Sequence, residues 1–166
     1  MRDAQLQFAD VQINAAVDEV LLLSKRELER AGITLRTDFD TSMPKIQADR
    51  VQLQQVVLNL VRNAIDAMIA VDGRARVLTA SSKMTDGHAS VTIGDTGVGI
   101  DPASRERLFD ALYTTKREGL GLGLSICRKI VSAHGGRLWV EKNTRHGATF
   151  AFTLPLRQSV QLSEKN

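Results

Sequence analysis

Two asparagines four residues apart, Asn59 and Asn63, lie in a stretch whose apolar residues recur at helical spacing, and Gln55 and Asp66 extend the line by four and three residues. On a helix these intervals stack side chains along one ridge. A solvated helix face would account for such a ridge. Facing a cleft, the amide oxygens could instead serve a hydrated Mg²⁺, which takes few protein ligands and completes its shell with water and phosphate. A second cluster, Asp95-Thr96-Gly97-Val98-Gly99-Ile100, follows an apolar alternation directly. It would place a carboxylate at a strand end, with two glycines bending the chain around a ligand. That carboxylate could accept a hydrogen bond from an exocyclic amine, although a plain Asx turn is a common alternative for such strings. A third cluster, Gly119, Gly121 and Gly123, precedes Leu124-Ser125-Ile126. A helix starting there would offer free backbone N–H groups and a positive dipole end to phosphates, whereas a flexible linker would offer neither. Leu124 stands where the third glycine of GxGxxG would fall, and the chain contains no GxxxxGKS or GxxxxGKT string. Neither common nucleotide-binding loop is present.

The elements that must position these clusters are legible in outline. A short edge strand is expected over Leu6 to Val11, then a helix capped by Asn14, carrying Val17, Val20, Leu21 and Leu28 inward and ending at Gly32. Ile33, Leu35 and Phe39 read as a half-buried strand, and Met43-Pro44 as the turn after it. Asp49 is placed to cap a long helix reaching about Met68, whose stripe of Leu53, Val56, Val57, Leu60, Ala64, Ile65 and Met68 faces a core. Ala75 to Ser81 and Ala89 to Gly94 read as strands joined through Thr85-Asp86-Gly87. A short helix near Pro102 to Leu108, a flexible loop over Asp110 to Gly123 and a helix from Leu124 to Ala133, stopped by Gly135-Gly136, come next. Strands over Arg137 to Glu141 and Ala148 to Leu154 close the chain. The expected fold class is a two-layer α/β (α+β) sandwich, a mixed sheet with helices on one face.

The 166 residues suit one domain over 1–156, with a polar, disordered tail over 157–166. The apolar fraction of 43% and charged fraction of 25% are those of an ordinary globular chain. A net charge of +3, without an aromatic-interleaved basic stripe, disfavours nucleic acid as a partner. The start lacks the apolar stretch of a signal peptide, and no apolar run is long enough for a membrane helix, so a cytoplasmic domain without membrane contact is expected. Cys127, the only cysteine, has no internal disulfide partner and reads as a small core residue.

Taken in order, the segments resemble the nucleotide-binding boxes of the sensor histidine kinases, within the larger ATPase group that includes DNA gyrase and the heat-shock chaperones. Gln55 to Ala67 is similar to the N box and Asp95 to Ile100 to the first glycine box; Leu108-Phe109 with Thr114-Thr115-Lys116 is similar to the F box and Gly119 to Ile126 to the second glycine box. His134-Gly135-Gly136, Gly147-Ala148-Thr149-Phe150 and Leu154-Pro155 follow the family's closing strands. Four ordered boxes are far more specific than any one of them. The resemblance implies the Bergerat-type ATP-binding fold and use of ATP with Mg²⁺. It makes Asn63 the Mg²⁺ ligand, Asp95 the acceptor of the adenine amine and Asn59 part of the phosphate side. Gly97 and Gly99 would let the backbone approach the base, and Thr149 would support it through water. Lys116 would reach the terminal phosphates, with Gly119, Gly121, Leu122 and Gly123 in the lid that wraps them. Arg62 and Arg117 are weaker phosphate candidates, with a solvated role at least as plausible.

Hydrolytic relatives carry a glutamate four residues before the Mg²⁺ asparagine, where this chain has Asn59. An amide cannot take the proton of an attacking water at neutral pH, which points to transfer onto a separately supplied nucleophile. By the resemblance, that nucleophile is a histidine on a dimerisation domain of the same kinase, with a response regulator downstream and the isolated domain a monomer. His88, His134 and His146 lack the acceptor's acidic neighbour, and turn or surface roles suffice for them. Leu120 and Ala111-Leu112-Tyr113 depart from the usual lid and F-box residues. A nucleotide-gated interaction module and an anti-sigma-type serine kinase are the alternatives; a hydrolytic ATPase is disfavoured by Asn59.

Overall fold

The computed structural model describes residues 5–110, 123–141 and 146–156. Seven strands and four α-helices follow one another as β1 (Ala9–Val11), α1 (Ile13–Leu23), α2 (Lys25–Arg30), β2 (Ile33–Asp38), β3 (Ile46–Ala48), α3 (Arg50–Ile69), β4 (Arg76–Thr85), β5 (His88–Gly94), α4 (Gly123–Ala133), β6 (Arg137–Val140) and β7 (Thr149–Pro155). Five strands form one mixed sheet in the order β2-β4-β5-β7-β6; β2 runs parallel to β4 and the other pairs are antiparallel. The alternation expected of strands puts Leu78 and Ala80, Val91 and Ile93, and Phe152 and Leu154 into the core. The opposite face carries polar side chains such as Ser81 and Thr92, which hydrogen-bond across β4 and β5. Helix α3 packs between α1 and α4 and against β4 and β5, giving the expected two layers.

The long helix follows its pattern closely. Asp49 caps it by accepting from the Gln52 N–H at 3.2 Å, and Leu53, Val56, Val57, Leu60, Val61, Ala64, Ile65 and Met68 are buried. The first helix departs from expectation in two ways. Its N-cap is Gln12, whose side chain makes no cap bond, because Asn14 is recruited elsewhere: Asn14 Nδ2 donates to the Asp40 carbonyl at 2.8 Å and Oδ1 accepts from the Ser82 hydroxyl at 2.6 Å. A tertiary link between α1, β4 and the loop after β2 thus replaces a local cap. The helix also breaks at Ser24, whose hydroxyl turns back to the Val20 carbonyl at 2.9 Å, so Leu28 belongs to a separate α2.

The expected first strand shortens to Ala9–Val11 and pairs with β3, which sequence pattern did not reveal, in a small separate sheet. Only Ile33 of β2 is buried, and Leu35 is 38% exposed, because β2 is a sheet edge with little covering it. Around Pro102 to Leu108 the chain forms only a 3₁₀ turn, Arg105–Arg107. The proposed tail over 157–166 lies outside the described residues. Among the described residues no helix is long and apolar enough to cross a membrane.

His134 is the clearest correction. It stands at the turn that ends α4, one of the two roles expected, but is fully buried there rather than on the surface. Its Nε2 accepts from the Asp49 N–H at 3.0 Å, and Nδ1 lies 2.8 Å from the Ile130 carbonyl. One ring nitrogen must accept and the other donate, which defines the neutral imidazole protonated at Nδ1. The ring ties the end of α4 to the start of α3, with Phe8 packed edge-on at 5.2 Å.

Candidate functional site

Asn59 and Asn63 lie half-buried on α3, while Gln55, Arg62 and Asp66 are exposed, so the ridge is divided between half-buried and solvated positions. Asn59 Nδ2 faces α4, 3.5 Å from both the Gly123 carbonyl and the Cys127 sulfur. With its amide nitrogen turned to α4, the Asn59 oxygen is the atom left to accept from a ligand. Cys127 is fully buried as expected, and burial pushes its thiol up to about 11, so it is not a nucleophile at neutral pH.

Asp95 is buried at the end of β5. Its Oδ1 accepts from the N–H groups of Gly97 at 2.8 Å and Ala148 at 3.3 Å, and its own N–H donates to the Ala148 carbonyl at 2.9 Å. These bonds occupy one carboxylate oxygen, and among the described residues Oδ2 is left for a ligand donor. Burial raises the Asp95 carboxyl above the usual carboxylate value, although the Gly97 and Ala148 N–H groups oppose the rise.

The segment after Asp95 is locked to α3. The Val98 N–H donates to the Ala67 carbonyl at 3.1 Å, and a Cβ on Gly97 would fall 2.4 Å from that same carbonyl oxygen. The crowding that demands glycine at position 97 therefore comes from α3 itself. Thr96 adds a second lock, its hydroxyl donating to the Ala75 carbonyl at 2.8 Å and accepting from the Val77 N–H at 3.0 Å. On the other side Gly147, at φ 83°, backs Asp95 so closely that a Cβ there would sit 2.0 Å from the Asp95 carbonyl oxygen. A Cβ on Gly99 would approach the Gly147 carbonyl at 3.1 Å, and one on Gly94 would meet the Thr149 hydroxyl at 3.1 Å.

The structure thus brings Asn59, Asn63, Ala67, Gly97 and Asp95 together through α3, and joins Gly99, Gly147 and Thr149 to them across β5 and β7. Lys116, Arg117, Gly119, Gly121 and Leu122 lie outside the described residues, as do Thr114-Thr115, Ala111-Leu112-Tyr113 and Leu120; Gly123 begins α4. Sequence reasoning gave no role to Ala67, Thr96 or Gly147. Gly147 beside Ala148 carried a signal, two small residues before a strand, but the partner that needs them is 52 residues away in sequence, as 147 minus 95 gives. Among the described residues no group of three or more His, Cys, Asp or Glu side chains is placed to hold a metal.

A mixed sheet covered on one face, with a buried carboxylate at a strand end and an amide ridge on the central helix, defines the class as a Bergerat-type ATP-binding sandwich. Residues 48–158 match the family described as histidine kinase-, DNA gyrase B- and HSP90-like ATPase, and the chain belongs to it. The sensor protein FixL of Bradyrhizobium diazoefficiens is 41% identical over 86% of this chain, and TdiS of Thauera aromatica is 36% identical over 87%. The chain spans only 28% and 27% of those two proteins. Among solved structures, the nucleotide-free catalytic domain of histidine kinase ThkA superposes with a TM-score of 0.81 at 32% identity, covering 91% of this chain and 97% of that one. Full-length ShkA in complex with AMPPNP matches with a TM-score of 0.81 at 30% identity, covering 93% of this chain and 32% of that one. The fold is that of the histidine kinase catalytic domains.

Proposed function

We propose that this chain is the ATP-binding catalytic part of a sensor histidine kinase, transferring the γ-phosphoryl group of ATP to a histidine on a separate dimerisation domain. The observation that carries the reading is the rigid link between two ends of one cleft. A buried carboxylate with a free oxygen, Asp95, is tied through Gly97, Val98 and Ala67 to the helix that presents Asn59 and Asn63. Asp95 Oδ2 accepts the adenine amine, and Thr149 supports the base from β7. The Asn63 amide oxygen is a hard donor suited to Mg²⁺, which needs few protein ligands when phosphates and water complete its shell. When bound, Mg²⁺ neutralises charge on the phosphate oxygens. Lys116 and the glycines 119, 121 and 123, with Leu122, complete the phosphate side.

Asn59 replaces a general base with an amide, so the domain positions and stabilises without activating water. Catalysis then rests on in-line placement and charge stabilisation, with the proton acceptor carried by the incoming histidine's own domain. Of the relatives, ThkA has been solved in complex with the response regulator TrrA; a response regulator is likewise the downstream partner proposed here, in the cytoplasm. Calorimetry with Mg-ADP and Mg-ATP on this chain and on Asp95→Asn tests the site. Binding selective over GTP and lost in the variant is expected, and no binding to the folded chain would end the kinase reading. Labelled ATP supplied with a cognate histidine-bearing bundle should yield an acid-labile phosphoprotein; an acid-stable product would instead indicate a serine acceptor.

A further inference from the structure

A second cavity, of about 390 Å³, borders Gly99, Ile100 and Gly147 but is lined by none of Asn59, Asn63, Asp95 or Thr149. Its wall carries Arg74, Arg105 and His146, opposed among the described lining residues by one carboxylate, Glu141. Arg74 and Arg105 are both half-buried, and neither has a carboxylate within ion-pair distance among the described residues. The Nε of Arg105 is shielded from solvent and has no hydrogen-bond partner among the described residues. Arg105 also forms the wall of an adjoining cavity of about 330 Å³ with Arg128 and Arg137, whose guanidiniums are parked over Phe109 and Trp139 at 5.6 and 5.5 Å. Arg128 and Arg137 line only that adjoining cavity, which leaves Arg74 and Arg105 as the arginines of the larger one.

We propose that the cavity between Arg74, Arg105 and His146 is a second ligand site, taking a small phosphate ester separate from the nucleotide. The forked N–H groups of the two arginines match phosphate oxygens, His146 adds a ring nitrogen, and Glu141 accepts from a hydroxyl or amine on the organic part. The volume lies in the range of small-molecule sites. An occupant would touch Gly147, which backs the Asp95 main chain.

The test is titration of inorganic phosphate and of glycerol 3-phosphate into the chain with and without saturating Mg-AMPPNP, followed by amide NMR shifts at Arg105 and His146. Saturable shifts in the millimolar range that persist with the nucleotide analogue present are expected. Arg74→Ala and Arg105→Ala should each weaken them by about tenfold or more, while Asp95→Asn leaves phosphate binding intact. Displacement by Mg-AMPPNP, or binding unchanged in both arginine variants, would overturn the site. Equal affinity for the two probes would overturn the role of Glu141. Because phosphate is also titrated without nucleotide, failure of the ATP-binding reading is distinguishable from failure of this one.

Discussion

At the scale of single residues, two carboxylates show how the same group is turned to opposite uses. Burial works to raise Asp49, but the N–H groups of Gln7 and Gln52, with the charge of His134 when protonated and the Val51 N–H, outweigh it and hold the carboxyl below its ordinary value. Its contribution to stability is therefore present above the ordinary carboxylate range and is lost as pH falls through the lowered pKa. Asp49→Ala should cost about 1 kcal/mol, as loss of a helix cap does, measured by urea unfolding at neutral pH, with the difference shrinking in acid. Asp95 has the reverse sign: raised by burial, it favours the fold when protonated and costs stability once ionised, as pH rises through its folded pKa. Asp95→Asn keeps an oxygen for the Gly97 and Ala148 N–H groups and removes the buried charge. The nucleotide-free variant is expected to melt at the same temperature as the parent or higher at neutral pH, with the advantage vanishing in acid. A lower melting temperature would show that the charge itself holds the segment. Both carboxylates were marked by sequence, Asp49 by its place before an apolar helical stripe and Asp95 by the glycines after it, but the sign of each shift depends on burial and distant N–H partners.

At the scale of elements, α3 is the part on which the rest is hung. Its C-terminal half meets the segment after Asp95 through Ala67, and its start meets the end of α4 through His134. Replacing Gly97 by alanine would force a Cβ into the Ala67 carbonyl, which is backbone and cannot swing aside. Gly97→Ala should therefore move the Asp95 segment away from α3 and weaken adenine nucleotide binding by at least about tenfold, a misplacement effect, with the fold retained by circular dichroism. Unchanged affinity would mean that the cleft does not need this contact. His134→Leu removes the acceptor for the Asp49 N–H and is expected to cost about 1–3 kcal/mol in urea unfolding, without altering nucleotide affinity of the folded chain. The helical period announced α3 and α4 because their buried stripes are long. It could not announce the break at Ser24 or the three-residue β3, since each is set by partners far along the chain rather than by local pattern.

At the scale of the whole molecule, the layered sheet turns a set of scattered strings into one cleft. Gly147, Asp95 and Ala67 are remote in sequence and adjacent in space, because β7 pairs with β5 and α3 packs on β5. Sequence by itself determined the fold class, the long helix with its cap, the hairpin between β4 and β5, and the asparagine and aspartate clusters, because periodicity, capping and turn chemistry are local. It also carried the family resemblance, since four ordered boxes survive in linear order. Only the tertiary structure decided that Gly97 is demanded by a helix, that Gly147 backs Asp95, that Asn14 serves a tertiary bond and that His134 is a buried link. The physical reason is the same each time: hydrogen-bond satisfaction and close packing are settled by whichever groups the fold brings within reach, whatever their separation along the chain.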